Sequence, residues 1–164
     1  MIQFQKPRWW HPFFKMLGTL RPVIWLLSHT LHHVDRVVLQ MTNGRYMTLT
    51  LLTGLPFLTL TTTGARSGQP RSVPLIGIPH NEQIILIASN WGRPKFPAWY
   101  HNLHANSTAT VAVNGKTAVF TTHEATGAEY ETCWQRAVSH YPSYNGYKKR
   151  AKRRIPVVVL TPKE

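Results

Sequence analysis

From residue 45 onward the apolar side chains stop recurring every third or fourth position and begin to alternate with polar ones. Met47-Thr48-Leu49-Thr50-Leu51-Leu52 and Phe57-Leu58-Thr59-Leu60-Thr61-Thr62 have the period of two, and the wealth of Thr and aliphatics, that a β-strand needs. Gly54-Leu55-Pro56 between them reads as a hairpin turn. Residues 72–78 and 83–88 form a second candidate pair across Pro79-His80-Asn81-Glu82. Residues 109–113 and 117–122 form a third, closed by Asn114-Gly115, a strong two-residue turn signal. Residues 155–160 supply a last strand. About seven short strands at hairpin spacing point to an antiparallel barrel rather than a parallel sheet.

Residues 1–40 have a different character and are set apart as an N-terminal amphipathic helical segment, leaving 41–164 as the main domain. Trp9, Trp10, Phe13, Phe14, Met16 and Leu17 crowd among Lys6, Arg8, His11 and Lys15. After Arg21-Pro22, Ile24, Leu27, Leu31, Val34 and Val38 recur at helical spacing. The apolar run 23–27 is too short to span a bilayer, and no small-residue cleavage site follows it. Tryptophans beside cations suit a membrane interface; packing on the domain or on a twin subunit (a homodimer) is the alternative. His29 and His33 share a helix face with His32 nearby, but without the carboxylate or cysteine partners of a zinc motif they read as a polar face, and no metal is expected.

The charge balance narrows the partners. Nineteen Lys and Arg face six Asp and Glu, a formal net charge of +13, so the chain should attract anions. A hydrophobic content of 43% with 15% charged residues excludes a disordered chain. Cys133 is the only cysteine, which excludes a disulfide framework, favours the cytoplasm, and reads as a small core residue of a helix.

Two glycine-containing basic loops concentrate that charge. Thr61-Thr62-Thr63-Gly64-Ala65-Arg66-Ser67-Gly68-Gln69-Pro70-Arg71-Ser72-Val73-Pro74-Leu75 joins two strands. Its glycines permit positive φ and close backbone approach, and exposed amides with Arg66 and Arg71 suit a phosphate or carboxylate. A plain basic hairpin turn is the competing reading. The second loop, Ser89-Asn90-Trp91-Gly92-Arg93-Pro94-Lys95-Phe96, leads into a short helix, Pro97-Ala98-Trp99-Tyr100-His101-Asn102-Leu103-His104-Ala105-Asn106. Further on, Thr126 and Glu129 have capping-box spacing, and Tyr130, Trp134, Ala137, Val138 and Tyr141 form the core stripe of the helix they open. Tyr144 and Tyr147, three apart, can share the next helix face.

Taken in order, Thr-Thr-x-Gly-x-Arg-Ser-Gly-x-x-Arg-x-x-Pro-Leu, Ala-Ser-Asn-x-Gly, Pro-x-Trp-Tyr-x-Asn-Leu-x-Ala-Asn and Tyr-Pro-x-Tyr-x-x-Tyr before Arg-x-Ile-Pro-Val resemble the deazaflavin-dependent nitroreductase family across residues 45–162. The resemblance implies an α+β split β-barrel, of the kind that also binds FMN, with six to seven mostly antiparallel strands and flanking helices. It implies an oxidoreductase that uses coenzyme F-420, an acidic 5-deazaflavin, to reduce electron-poor acceptors such as quinones or nitroaromatics. Cofactor binding would fall to Arg66, Ser67, Gly68, Arg71, Pro74, Ala88, Ser89, Asn90, Trp91, Gly92 and Trp99. Tyr144, with Tyr141 and Tyr147, would line the substrate side, where Lys148 and Lys149 are expected to lower a tyrosine pKa. The chain departs from the family at Asn90, where Lys is usual, at Trp91, where Gly is usual, and at Lys152, where Asp is common. Two rival readings stand beside this one: an FMN-binding split-barrel enzyme, and a non-enzymatic module using the six cations of residues 148–154 on anionic lipid. Nucleic acid is the other anion open to that module, disfavoured because the chain carries no recognisable fold signature for it. Such a protein would be cytoplasmic or peripheral on the inner membrane face.

Overall fold

A computed structural model describes residues 55–163. The expected strand at 47–52, Gly54 of its hairpin turn, the N-terminal aromatic cluster and the three histidines all lie outside these residues. Seven strands follow in the order β1 (Phe57–Thr63), β2 (Pro70–Ile76), β3 (Ile78–His80), β4 (Gln83–Ile87), β5 (Thr108–Val113), β6 (Lys116–Glu124) and β7 (Val157–Pro162). Three helices accompany them: α1 (Ala98–Ala105), α2 (Gly127–His140) and α3 (Ser143–Ala151).

The strands form one sheet in the order β2-β1-β5-β6-β7-β4-β3, with every pairing antiparallel. Its two outermost strands are consecutive in the chain, separated by Gly77 alone, so the sheet curls until its ends meet. This corrects the expectation for residues 72–78. They do not pair as one strand with 83–88: β2 pairs β1 from Phe57↔Ile76 to Thr63↔Pro70, and only Ile78 to His80 pair β4. Gly77 is the crossing point, where an added Cβ would strike the Leu58 side chain and come 2.9 Å from Ile84 Cγ2. Only glycine allows that approach.

Alternation along the central strands then divides the interior. Leu58, Leu60, Ile84, Leu86, Val111, Phe120, Val158 and Leu160 fill the barrel, and α1 plugs it with Trp99 and Leu103. The intervening residues of β4 and β7 face outward, where Ile85, Ile87, Val157 and Val159 meet Tyr130, Cys133, Trp134 and Ala137 of α2 and Tyr144, Tyr147 and Ala151 of α3. Because β4 and β7 are covered on both faces, their sequences read as unbroken apolar runs. Cys133 is a buried core residue, as its setting in the sequence suggested. The capping box is not formed. Thr126 occupies the N-cap of α2 without a side-chain hydrogen bond, and Glu129 is drawn instead to His123 Nε2 at 2.9 Å.

Candidate cofactor and acceptor site

The arginine loop, residues 64–69, closes tightly between β1 and β2. The Gly68 amide donates to the Gly64 carbonyl at 2.8 Å, and the Gly64 amide donates to the Gln69 carbonyl at 2.9 Å. Gly68 carries φ +66°, a left-handed conformation that a side chain disfavours. Ser67 is exposed, and its Oγ accepts from the Gln69 amide at 3.3 Å. The loop is also fastened from outside. Asn102 of α1, buried to 8% exposure, accepts from the Ala65 amide at 3.0 Å and donates from Nδ2 to Thr62 Oγ1 at 3.0 Å. Thr62 Oγ1 in turn donates to the Arg71 carbonyl at 3.4 Å. The Arg66 and Arg71 side chains remain exposed, and among the described residues neither guanidinium meets a carboxylate or any other acceptor. Two fixed cations on a pinned loop with no internal counter-charge are suited to an external anion.

The second loop follows β4. Four amides here are already used: Ala88 donates to Pro156 O at 2.9 Å, Ser89 to Ile87 O at 2.8 Å, Gly92 to Ser89 O at 2.9 Å and Arg93 to Asn90 O at 3.0 Å. The amides of Ala88, Ser89 and Gly92 are thus bonded within the fold. The amides of Asn90 and Trp91 donate to nothing among the described residues. Ser89 is right-handed and Asn90 has φ +46°, a succession that turns neighbouring amides toward one concavity. The Asn90 side chain is committed to the loop, donating to Lys95 O at 2.9 Å. Trp91 is also left-handed and its indole is 63% exposed. Trp99 is buried in the barrel core, and Pro74 is exposed on the outer strand β2 opposite Thr59.

Tyr141, Tyr144 and Tyr147 are brought together as expected. Ring centroids lie 5.2 Å apart for Tyr141–Tyr144, 6.1 Å for Tyr141–Tyr147 and 6.0 Å for Tyr144–Tyr147. The Tyr141 and Tyr147 hydroxyls share a hydrogen bond of 3.1 Å, and Tyr147 meets Trp91 edge-on at 6.1 Å. The tyrosine cluster thus touches the second loop. Burial pushes the Tyr144 and Tyr147 hydroxyls well above the ordinary tyrosine range, so the neighbouring lysines do not lower them.

The basic run 148–154 is not a free charged face. Lys148 sits over Trp134 (4.8 Å), Arg150 over Tyr147 (5.0 Å) and Arg154 over Tyr130 (4.4 Å), while Arg153 turns into the second loop. Lys152, in left-handed conformation, ends α3. Sequence reasoning missed Asn102 and Arg153. The signal for Asn102 was an amide side chain on a helix that otherwise turns aromatics and Leu103 inward; Arg153 was lost among its basic neighbours.

Comparison with known proteins agrees with this geometry. The F420H(2)-dependent quinone reductase family matches residues 32–162. The F420H(2)-dependent quinone reductase Rv1261c of Mycobacterium tuberculosis is 37% identical over 109 residues, covering 65% of this chain and 73% of that protein. A solved F420-H2 dependent reductase, FDR-A, superposes with a TM-score of 0.60 at 40% identity, over 64% of this chain and 93% of its own. A solved domain-swapped dimer superposes with a TM-score of 0.63 at 35% identity, over 85% of this chain and 98% of its own. With the pinned arginines, the second loop and the tyrosine cluster in one split barrel, this chain belongs to the F420H(2)-dependent quinone reductase family.

Proposed function

We propose that this protein is an oxidoreductase that takes coenzyme F-420 as its cofactor and a quinone as its acceptor, with nitroaromatics as further acceptors. The observation that carries the reading is the pair of guanidiniums, Arg66 and Arg71, that meet no acceptor among the described residues, on a loop held in place by Asn102. An acidic cofactor fits them, and the idle amides of Asn90 and Trp91 offer two donors to the polar edge of its ring system. When bound, the reduced deazaflavin supplies a hydride, which with one proton takes a quinone to its hydroquinone. Arg66 and Arg71 bind the acidic tail, each such contact worth about 1.5–3 kcal/mol. Trp91 and the tyrosines of α3 and its approach enclose the acceptor and keep water from it. The proposal extends to location: the N-terminal aromatics hold the protein peripherally on an anionic membrane. A domain-swapped dimer among the relatives makes a twin subunit the competing partner for that segment.

Titration of the purified protein with the deazaflavin and with FMN tests the cofactor. Tighter binding of the deazaflavin is expected, weakening as salt rises because the grip is electrostatic. Arg66→Ala and Arg71→Ala should each cost at least about tenfold in affinity. Tighter binding of FMN would overturn the reading.

A further inference from the structure

The second loop has little regular structure of its own, yet its backbone is held at many points by one side chain from beyond α3. Arg153 Nε donates to Pro94 O at 2.8 Å, and its Nη2 donates to Ala88 O at 3.3 Å, Arg93 O at 3.3 Å and Lys95 O at 3.2 Å. Its Nη1 donates to Arg154 O at 3.1 Å, and the guanidinium carbon stands 4.2 Å from the Phe96 ring centroid. One planar cation therefore gathers four carbonyls spanning residues 88–95 and stacks on the ring that follows them. The loop base is tied to the same segment by the Ala88 amide on Pro156 O. No regular ladder would satisfy these carbonyls, because they point inward around a bend rather than along a strand. A guanidinium can do it, since it presents five N–H groups in a fixed fork. Lysine offers three donors from a single point and cannot reach a comparable spread.

The two idle amides, Asn90 and Trp91, lie within the span that Arg153 closes. Arg150 steadies the same bend, its Nη2 donating to Trp91 O at 3.4 Å. We propose that Arg153 is a positioning residue for the cofactor site, its guanidinium holding the 88–96 loop in the shape that presents the Asn90 and Trp91 amides. It touches neither cofactor nor acceptor. The inference rests on the cofactor reading given above, but the loop's shape can be measured without any cofactor.

The test uses full-length Arg153→Lys and Arg153→Gln. Hydrogen exchange of cofactor-free protein is expected to accelerate in 88–97 by at least about tenfold, the scale of lost charge-assisted hydrogen bonds, while the β5–β6 hairpin is unchanged. Deazaflavin affinity should fall by about tenfold in both variants, with kcat at saturating cofactor within about twofold of wild type, because the residue acts through binding geometry rather than chemistry. Faster exchange in 88–97 with unchanged affinity would overturn the proposal, as would unchanged exchange. Acceleration spread evenly over the chain would make Arg153 a general brace of the fold and would also overturn it. Failure of the wild type to bind the deazaflavin would instead defeat the functional reading, and leave the exchange result to report on the loop alone.

Discussion

Tyr144 and Tyr147 show how burial decides a side chain's chemistry. Lysines follow Tyr147 directly in the chain, yet desolvation outweighs them, and both hydroxyls are held neutral far above the ordinary value of about 10. The sign follows: raised folded values leave stability intact below about pH 10 and erode it as pH rises beyond, where the unfolded chain ionises first. At working pH these groups can only donate or accept hydrogen bonds, which suits a partner to an acceptor oxygen that gains charge. Tyr144 is 4% exposed between Trp134, Tyr141 and Tyr147, whereas the Tyr141–Tyr147 hydroxyl pair adjoins the exposed Trp91. Tyr147, 8% exposed, is buried as well, so substitution has to compare all three tyrosines. Tyr141→Phe or Tyr147→Phe should slow hydride transfer by about a hundredfold, the low end for a positioned proton donor, with cofactor affinity unchanged. Single-turnover oxidation of the reduced cofactor by menadione measures this across pH 6 to 9, where no titration of Tyr144 or Tyr147 should appear. Rates unchanged from wild type in these two variants and in Tyr144→Phe would leave the tyrosines as walls.

At the level of elements, the strand periods, the Asn114-Gly115 turn and the short helix after the second loop were all legible, because each is written in local sequence. What α1 does was not. Its Asn102 reaches 37 residues back to Ala65 and 40 back to Thr62, and no spacing rule carries that information. The motif marked the residue but assigned it nothing. The same holds for Arg153, whose partners lie about 60 residues away. The failed capping box has a related cause: His123, on a neighbouring strand, competes for Glu129. Asn102 now supports a prediction. Asn102→Ala leaves the Ala65 amide without its partner and takes a donor from buried Thr62, which should cost about 1–3 kcal/mol in urea unfolding. Because the loss falls on the arginine loop, deazaflavin affinity should drop several-fold as well, by about 1 kcal/mol or less if the loop keeps its own internal bonds. A stability loss with unchanged affinity would show that the loop holds its shape without α1.

At the scale of the whole molecule, the barrel's closure depends on a single position. An alternating pattern predicts strands and their count, but it is blind to which sheet edge a strand joins; Gly77, where β2 leaves one edge and β3 meets the other, has no signature in local periodicity. The net charge of +13 is likewise a property of the whole, and it bears on where the protein works. No helix among the described residues is long and apolar enough to cross a membrane. Domain charge alone is a weak tether, since at physiological salt its attraction fades beyond about 8 Å. On the proposed membrane reading, residues 1–18 would add what charge lacks: the side chains of Trp9, Trp10, Phe13, Phe14, Met16 and Leu17 are apolar, and Lys6, Arg8 and Lys15 would each be worth about 1 kcal/mol near an anionic bilayer. Deleting residues 1–18 should therefore abolish sedimentation with phosphatidylserine-containing vesicles at physiological salt while cofactor affinity stays the same. Full-length protein should remain partly bound as salt is raised, because buried tryptophans are not screened. If truncated and full-length proteins sediment equally, the aromatic segment does not hold the membrane, and a change in the number of subunits per particle on truncation would assign it to a twin subunit.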